Sequence, residues 1–280
     1  MQQAGYAIHI LVYIIIGHVA IDHGYADTSS AATDELHISS FCSKGEAIYA
    51  GTWGYGLYCS DDMGRTWKSF NDGLTNLFIY SIHIHDSSFL VGTDGGGIFK
   101  YNNREKQWNT LNIGNIGNTI FAVLEINRVI LVSSWTHGLY RSENNGKTWD
   151  KVTEGMTDSV IYSLCHSSKY LYAGGAKNGV YQSRDRGKSW KLIGLKKKTI
   201  TCLYPVNNDI WCGTWESGLY YFNEIDSIWY KSSFNFVENI DALAYSQKSN
   251  ILFCANKNDG VFKSDDNDTS WYSIGLTQYK

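Results

Sequence analysis

Short runs of apolar and aromatic residues, bounded by Gly, Asn, Asp or Ser, follow one another along the chain from residue 36 onward. Runs of this kind are typical of short β-strands joined by tight turns. One stretch shows them clearly, at residues 161–165, 170–174, 179–183 and 189–192. Four antiparallel strands within about 40 residues form one blade of a β-propeller. The pattern therefore favours a fold built from repeated blades.

Tryptophan marks the period of this repeat. Six of the ten Trp residues are separated by 41, 41, 41, 39 and 42 positions: Trp67, Trp108, Trp149, Trp190, Trp229 and Trp271. A glycine lies eleven positions before each Trp, followed by an aliphatic and an aromatic residue: Gly56, Gly97, Gly138, Gly179, Gly218 and Gly260. We predict an all-β fold, a six-bladed β-propeller of four-stranded antiparallel blades. The predicted blades are residues 36–78, 79–118, 119–159, 160–198, 199–238 and 239–280.

Composition agrees with many short strands in one domain. The chain has 10 Trp, 20 Tyr and 27 Gly but a single Pro, which suits tightly turned strands in one sheet system. The last strand is predicted to end near Ile274, so each blade holds its own four strands. We therefore expect blade 6 to close on blade 1 by side-chain packing alone.

The turn that precedes the Trp carries a second pattern, Ser-x-Asp-x-Gly-x-Ser/Thr-Trp. It is complete at residues 60–67 and 183–190, and in two other repeats Asn144 replaces the Asp and Asp268 replaces the Gly. The residues assigned to these turns are Ser60, Asp62, Gly64, Trp67, Ser142, Asn144, Gly146, Trp149, Ser183, Asp185, Gly187, Trp190, Ser264, Asp266 and Trp271. The Asp is expected to cap backbone N–H groups, the Gly to adopt positive φ, and the Trp to pack between blades.

This turn resembles the Asp-box, or BNR, repeat of the sialidase-like superfamily, and the resemblance covers residues 36–274. The superfamily includes sialidases, some glucan hydrolases, sortilin-type receptors and photosystem II assembly factors. The resemblance implies a propeller with Asp-box turns between strands three and four. It also implies that ligands bind on the opposite face, at the loops between strands two and three. It does not imply one activity, because the box is a structural turn found with unrelated functions.

One position in these loops is Trp, Asp, Trp, Ala, Trp and Lys in successive blades. Trp residues are thus expected on blades 1, 3 and 5, around the mouth of the central channel. Aromatic platforms suit flat ligands such as sugar rings, whereas packing of the same side chains on neighbouring loops is the alternative. The residues assigned to this ligand-binding mouth are Trp53, Tyr55, Asp94, Trp135, His137, Trp215 and Glu216.

Three functions remain open at this point. The first is a non-catalytic, carbohydrate-binding or protein-loop-binding propeller. The second is a glycoside hydrolase with Asp94 and Glu216 as the paired carboxylates and His137 beside them, since such enzymes use two carboxyl groups at a set separation. The third is a protein-assembly scaffold. A sialidase mechanism is disfavoured because that family needs three arginines on the functional face, and the arginines here fall on or near the other face.

The net charge and the spacing of the cysteines limit the kinds of ligand that the chain is expected to bind. The formal net charge of −3 gives no basic surface for nucleic acid. The cysteines lack the spacing of a metal site, so we predict no metal and no cofactor. Cys212 and Cys254 occupy a position that favours a small buried residue and are expected to be core thiols. A bridge between Cys202 and Cys212, on adjacent strands, is an alternative.

The N-terminal segment differs from the repeats. Residues 7–20 are apolar and are followed by Ala26, as in a secretory signal with its small cleavage residue. The run is too short for a stable membrane span. We predict a signal peptide at residues 1–26, a polar linker at 27–35 and an exported protein, periplasmic or extracellular. A disordered or docked tail is the alternative.

Overall fold

The computed structural model describes residues 38–274, apart from 45–46, 63, 86–87, 235–238, 247–249, 257–259 and 266–267. The predicted signal peptide, the polar linker and Asp266 therefore lie outside the described residues. The described chain forms six sheets, each made of four consecutive strands. The predicted all-β, six-bladed propeller of four-stranded blades is confirmed.

The strands are numbered along the chain. Blade 1 is β1 (Ile38–Lys44), β2 (Ala47–Thr52), β3 (Leu57–Ser60) and β4 (Lys68–Ser69). Blade 2 is β5 (Ile79–His85), β6 (Ser88–Thr93), β7 (Ile98–Asn102) and β8 (Gln107–Leu111), and the short 3₁₀ helix Gly114–Ile116 follows it. Blade 3 is β9 (Ile120–Ile126), β10 (Val129–Ser134), β11 (Gly138–Ser142) and β12 (Asp150–Lys151).

The second half of the ring repeats the arrangement. Blade 4 is β13 (Ile161–His166), β14 (Leu171–Gly175), β15 (Val180–Ser183) and β16 (Lys191–Gly194). Blade 5 is β17 (Ile200–Val206), β18 (Asp209–Thr214), β19 (Gly218–Asn223) and β20 (Ile228–Lys231). Blade 6 is β21 (Ala242–Ser246), β22 (Ile251–Asn256), β23 (Gly260–Ser264) and β24 (Tyr272–Ser273). All pairings within blades are antiparallel.

Strand register places the loops on two opposite faces. In blade 2, Ile79 at the start of β5 pairs with Thr93 at the end of β6. The start of each first strand therefore lies beside the loop between strands two and three, and we call this side the mouth face. The turns between strands three and four lie at the other end of the strands, on what we call the box face.

The apolar core lies between the blades. Each of the first five seams holds a cluster with residues of both neighbouring blades. Representative members, from the seam of blades 1 and 2 to that of blades 5 and 6, are Tyr49 with Phe99, Leu90 with Val132, Leu131 with Tyr181, Tyr172 with Ile210, and Trp211 with Phe262. Burial of these layers is the main stabilisation of a fold whose blades touch only their neighbours.

An isoleucine at the start of each of blades 2 to 6 packs closely against the preceding blade. A Cβ on Gly51 would lie 2.6 Å from Cγ2 of Ile79, and one on Gly174 would lie 2.5 Å from Cγ2 of Ile200. The strand glycine is therefore needed for close approach of the isoleucine. In blade 3 the small residue is Ser133, whose hydroxyl accepts a hydrogen bond from the backbone N–H of Ile161 at 3.0 Å.

The seam between blades 6 and 1 differs from the other five. Ile38, which begins blade 1, is only half-buried, and the small-residue position of blade 6 holds Ala255. Phe253 and Val261 lie on the face of blade 6 whose equivalent in the other blades packs on the next blade. The apolar cluster around these two residues contains residues of blade 6 alone. Within the described ranges, the expected packing of blade 6 on blade 1 is therefore not observed.

All six cysteines lie among the described residues and are free thiols. Cys212 and Cys254 are fully buried, as expected for core thiols at that repeat position. The alternative bridge between Cys202 and Cys212 is not formed.

Candidate functional site

A β-bulge near the start of the first strand in each of blades 1 to 5 aims one side chain toward the mouth. In blades 1, 2, 4 and 5 the strand register skips one residue between the opening isoleucine and the third position, and blade 3 shows the same shift. The skipped residues are Ser39, Tyr80, Phe121, Tyr162 and Thr201. A bulge of this kind commonly redirects a side chain at a functional site. The corresponding residue of blade 6 is Asp241.

The loops between strands two and three are fixed by backbone hydrogen bonds. The N–H of Trp135 donates to the carbonyl of Thr119 at 3.0 Å, and the N–H of Trp215 donates to the carbonyl of Thr199 at 3.0 Å. These contacts join each loop to the segment that precedes the first strand of its own blade. The Trp side chains therefore project from a constrained backbone.

Six aromatic side chains form a continuous series on this face, which we call the aromatic arc: Trp53, Phe78, Tyr80, Phe121, Trp135 and Tyr162. The ring centroids of Trp53 and Tyr80 are 5.0 Å apart, and those of Tyr80 and Phe121 are 4.8 Å apart. Phe121 then contacts Trp135 at 4.9 Å. These are favourable distances for tilted and edge-to-face pairs. The arc thus joins blades 1 to 4.

Large parts of the arc remain open to solvent. Trp53 is 37% exposed, Phe78 41% and Trp135 51%. Fully packed aromatic residues in this protein, such as Trp190, fall to 4%. A contiguous, partly exposed aromatic surface is typical of a binding site.

The third predicted Trp stands apart from the arc. Trp215 is 52% exposed, but among the described residues its ring contacts no other aromatic ring. The bulge residue of its blade is Thr201, which donates a hydrogen bond to the carbonyl of Ile240. The mouth is therefore divided. Aromatic side chains line blades 1 to 4, whereas the bulge residues Thr201 of blade 5 and Ser39 of blade 1, and the corresponding Asp241 of blade 6, are polar.

Asp94 lies against the arc but is already engaged. Its carboxylate accepts a hydrogen bond from the hydroxyl of Thr119 at 2.8 Å, and its carbonyl accepts one from Asn76 at 2.8 Å. Burial raises the pKa of Tyr80, and the negative charge of Asp94 raises it further. The phenol of Tyr80 therefore stays protonated at neutral pH and supplies a polar group within the aromatic surface.

Glu216 and His137 occupy exposed loop positions on blades 5 and 3. Glu216 has φ +57°, a conformation unusual for a residue with a side chain, and its N–H donates to Oδ1 of Asn239 at 3.1 Å. His137 hydrogen-bonds through Nδ1 to the hydroxyl of Thr136 at 2.6 Å. The described contacts do not join the carboxylates of Asp94 and Glu216.

The mouth residues predicted from sequence are thus brought together only in part. Trp53 and Trp135 belong to one arc, and Asp94 lies beside it, while Trp215 and Glu216 lie on another sector. Tyr55 is at the edge of the mouth, 36% exposed. Sequence reasoning missed Tyr80, Phe121 and Tyr162, although they recur every 41 positions directly after an isoleucine.

The box face has a different construction. The Ser60 hydroxyl accepts from the N–H of Gly64 at 2.7 Å, and Asp62 accepts from the N–H and hydroxyl of Thr66 at 2.8 and 2.6 Å. Ser183, Asp185 and Gly187 make equivalent bonds. Hydrogen bonds from Thr66 lower the pKa of Asp62 to about 2.

The two altered turns keep part of this pattern. In the third blade the Ser142 hydroxyl accepts from Gly146 at 2.9 Å, and Asn144 accepts from the N–H of Thr148 at 2.9 Å while donating to its hydroxyl at 2.7 Å. In the sixth blade Asp268 takes the glycine position with φ +76°, and its N–H donates to Ser264 at 3.0 Å. The ring nitrogens of three box Trp residues donate to backbone carbonyls: Trp67, Trp149 and Trp190.

The Trp of the sixth turn is held differently. The ring nitrogen of Trp271 donates to Oδ1 of Asp268 at 2.7 Å, and the ring packs at 4.9 Å from that of Phe234. Trp271 therefore extends the seam between blades 5 and 6 toward the box face.

Neither a metal-ion site nor a membrane-spanning helix is found among the described residues. Within the part of the chain that is described, no three His, Cys, Asp or Glu side chains are grouped to hold a metal ion. In that same part, no helix has the length and apolar character needed to cross a bilayer.

Comparison with known proteins identifies the fold. No family model and no curated protein matches the chain. Among solved structures, it resembles the extracellular domain of a putative one-component system from B. thetaiotaomicron, with TM-score 0.70 and 19% identity over 86% of this chain. It also resembles a GH74 xyloglucanase from Xanthomonas campestris, with TM-score 0.64 and 14% identity over 85% of this chain.

A third similar structure is PorZ, described as an essential bacterial surface component of the type-IX secretion system of Porphyromonas gingivalis. Its TM-score is 0.60, with 15% identity over 81% of this chain. The match spans 33% of the sensor domain, 45% of the xyloglucanase and 38% of PorZ. At these identities the likeness shows the propeller fold alone.

Proposed function

We propose that this protein is a non-catalytic binding propeller whose aromatic arc recognises a glycan or a ring-bearing protein loop. The partly exposed arc of Trp53, Phe78, Tyr80, Phe121, Trp135 and Tyr162 carries the proposal. Exposed aromatic rings bind flat apolar surfaces such as the faces of sugar rings, because the contact removes apolar area from water. The Tyr80 hydroxyl and the polar bulge residues supply hydrogen-bonding groups beside these rings.

The proposal also covers the superfamily, the location and the class of partner. The box turns support membership of the sialidase-like Asp-box superfamily. The extracellular domain among the similar structures supports an exported location, and the binding proposal does not depend on it. Among partners, a glycan or protein ligand is favoured over nucleic acid, since the net charge is −3.

A glycan array probed with the full chain tests the proposal. A Trp53→Ala/Trp135→Ala variant should lose at least about tenfold in affinity, because two stacked rings are removed. A Trp215→Ala variant is the control, since it removes a Trp that is as exposed as Trp135 but lies outside the arc, and we expect a smaller loss. Equal losses in the two variants, or no glycan binding by the folded wild-type chain, would contradict a glycan-binding arc.

A glycoside hydrolase that uses Asp94 and Glu216 is the second candidate. The left-handed conformation of Glu216 favours it, since strained residues often occur at functional sites. The bond from Thr119 to Asp94 counts against it, because that carboxylate is already engaged. If the chain is a hydrolase, the wild-type protein should cleave the glycans that it binds on the array. The Glu216→Gln variant should not cleave them.

A protein-assembly scaffold is the third candidate. It predicts a protein partner whose binding survives replacement of Trp53, Trp135 and Trp215 together. A pull-down with the triple alanine variant separates this function from ligand binding at the mouth.

A further inference from the structure

Three aromatic rings and one carboxylate lie together at the end of the arc formed by blades 1 and 2. The backbones of Trp53 and Phe78 form a β-bridge, and the N–H of Asp94 donates to the carbonyl of Phe78 at 2.8 Å. The ring centroid of Tyr80 is 5.0 Å from that of Trp53. Backbone contacts therefore hold the carboxylate of Asp94 beside these rings. We call Trp53, Phe78, Tyr80 and Asp94 the blade 1–2 cluster.

The rings of the blade 1–2 cluster face in different directions. The planes of Trp53 and Phe78 are inclined by 77°, and those of Trp53 and Tyr80 by 68°. Rings at such angles do not form one flat platform, but they offer π faces to a rounded group from more than one side. The π face of an aromatic ring is negative and attracts a cation. Trp53 and Phe78 are 37% and 41% exposed, so part of each ring is open to a ligand.

The mouth ends of blades 1 to 3 carry acidic but no basic side chains. Neither Lys nor Arg occurs in residues 51–57, 70–81, 92–98, 112–122 and 133–139, whereas Asp72 and Asp94 do. Lys151 extends toward this side, where its Cε would lie 3.8 Å from a Cβ on Gly138, but this contact is on blade 3. The charge beside the blade 1–2 cluster is therefore negative, and it favours a cationic ligand.

Asp94 can act as the counter-charge of such a ligand. It is half-buried, and within the described part of the chain it forms no ion pair with a basic side chain. The hydrogen bond from Thr119 engages only Oδ1. Burial raises the pKa of Tyr80, and the charge of Asp94 raises it further. The negative charge of Asp94 thus acts within the cluster.

The surroundings of Trp215 have the opposite charge. Residues 196–198 are three lysines that precede β17, and Nζ of Lys198 donates to the hydroxyl of Ser217, in the same loop as Trp215, at 3.0 Å. Glu216 is the single acidic residue of that loop. Trp215 is 52% exposed. It therefore serves as an internal control, an exposed ring in basic rather than acidic surroundings.

We propose that the blade 1–2 cluster binds a quaternary ammonium group of the choline type, with the three rings against its methyl groups and Asp94 as its counter-charge. A methylated nitrogen suits this surface better than a primary ammonium, because it has no N–H group that must find an acceptor. The proposal concerns the charge of the ligand and does not rest on glycan recognition. A chain that binds no glycan can still bind choline, and a chain that binds glycans can fail to do so.

Choline and its uncharged isostere, in which a carbon atom replaces the nitrogen, test the proposal on the full chain. The two compounds have the same shape, so the ratio of their affinities reports the effect of the charge. Choline should bind at least about fivefold more tightly. Its N-methyl proton resonance should also move upfield on binding, because the methyl groups lie over ring faces. Proton NMR titrations measure both quantities. Equal affinities, absence of choline binding, or binding without the upfield movement would overturn the proposal.

Substitutions separate the carboxylate from the rings. Asp94→Asn removes the charge but keeps an oxygen that can accept the bond from Thr119, and it should weaken choline binding about threefold without affecting the isostere. Trp53→Ala should weaken choline binding at least about fivefold, and Trp215→Ala should cause a smaller loss. Circular dichroism and thermal unfolding establish that each variant is folded. Wild-type affinity in Asp94→Asn, or equal losses in the two Trp variants, would contradict the proposal.

Glycine betaine provides a further comparison, because it carries the same trimethylammonium group together with a carboxylate. That carboxylate meets no Lys or Arg at the mouth ends of blades 1 to 3 and is repelled by Asp94, so betaine should bind more weakly than choline. Added salt should weaken the binding of choline but not that of its uncharged isostere. Equal binding of betaine and choline, or choline binding that is insensitive to salt, would remove Asp94 from the proposed site.

Discussion

On the box face, the turns of blades 1 and 4 carry the same key side chains in the same hydrogen bonds, and those of blades 3 and 6 keep part of this pattern. On the mouth face, equivalent positions differ from blade to blade. Asp62 and Asp185 both accept bonds from the residue four positions later. At the bulges of the mouth, by contrast, Tyr80, Phe121 and Thr201 share one backbone position. The difference indicates that the box turns form the repeat, while the mouth positions are free to carry recognition.

The sharpest test compares one buried and one exposed Trp of neighbouring blades. Trp190→Ala should lower the free energy of unfolding by about 3–5 kcal/mol, because it leaves a large cavity in the seam of blades 3 and 4. Trp135→Ala should lower it by no more than about 1.5 kcal/mol, since that side chain is half-exposed and makes one aromatic pair, with Phe121. Chemical denaturation of both variants measures the difference. Similar losses would mean that the mouth Trp is structural.

At the centre of the arc, Phe121→Ala should affect both binding and stability. The ring of Phe121 contacts Tyr80, Trp135 and Tyr162, and each aromatic pair contributes about 0.5–1.5 kcal/mol beyond its buried area. We expect a loss of about 2 kcal/mol in stability together with loss of ligand affinity. Phe121→Leu is the control, because it keeps apolar volume. Retention of affinity in the alanine variant would remove the arc from the binding site.

Replacing a carboxylate of the box turn with an amide should lower the stability of the fold less than replacing it with alanine. Asn144 already forms the turn of blade 3, so Asp185→Asn should keep most of the stability. Asp185→Ala should cost about 1–2 kcal/mol, because the N–H of Ser189 loses its acceptor. Thermal denaturation of the two variants compares them. Equal effects would show that the turn does not depend on the side-chain acceptor.

Acid should weaken the box face specifically. The pKa of Asp62 and the pKa of Asp185 are both lowered to about 2 from an ordinary 3.8. For Asp62 the first cause is the hydrogen bond from Thr66; for Asp185, burial raises the value but hydrogen bonds, chiefly from Ser189, outweigh it. Because the folded pKa is the lower one, this stabilisation is present above pH 4 and is lost as pH falls toward 2.

Denaturation curves recorded between pH 5 and pH 2 measure that loss. The free energy of unfolding should decrease with a steepening slope as the pH falls. In an Asp62→Asn/Asp185→Asn variant the steepening should be smaller, because the two titrating groups are gone. A variant that follows the wild-type profile would assign the acid sensitivity to other carboxylates.

The smallest expected effect concerns Glu216. Its left-handed backbone is better suited to glycine, so Glu216→Gly should change stability by no more than about 1 kcal/mol, with stabilisation the expected direction. Thermal unfolding gives the sign. A clear destabilisation would show that the Glu216 side chain has a structural role at the mouth.

Sequence periodicity was sufficient for the fold because the Gly-to-Trp spacing reports the blade directly. It was less informative about the mouth, since the arc depends on β-bulges that no residue type signals. Tyr80, Phe121 and Tyr162 could have been found from their spacing of 41, but not their mutual contact. The bond from Thr119 to Asp94 links two loops of different blades, and only the folded ring brings these residues together.

The six unpaired cysteines have a consequence for how the chain folds. Burial, with the charge of Asp61, raises the pKa of Cys59 to about 11, and burial raises the pKa of Cys202 to about 12. Thiolate is the reactive form of cysteine, so these two groups are almost unreactive at neutral pH once folded. Since no disulfide joins the cysteines, folding requires no oxidation step. The propeller is therefore expected to reach this structure under reducing conditions.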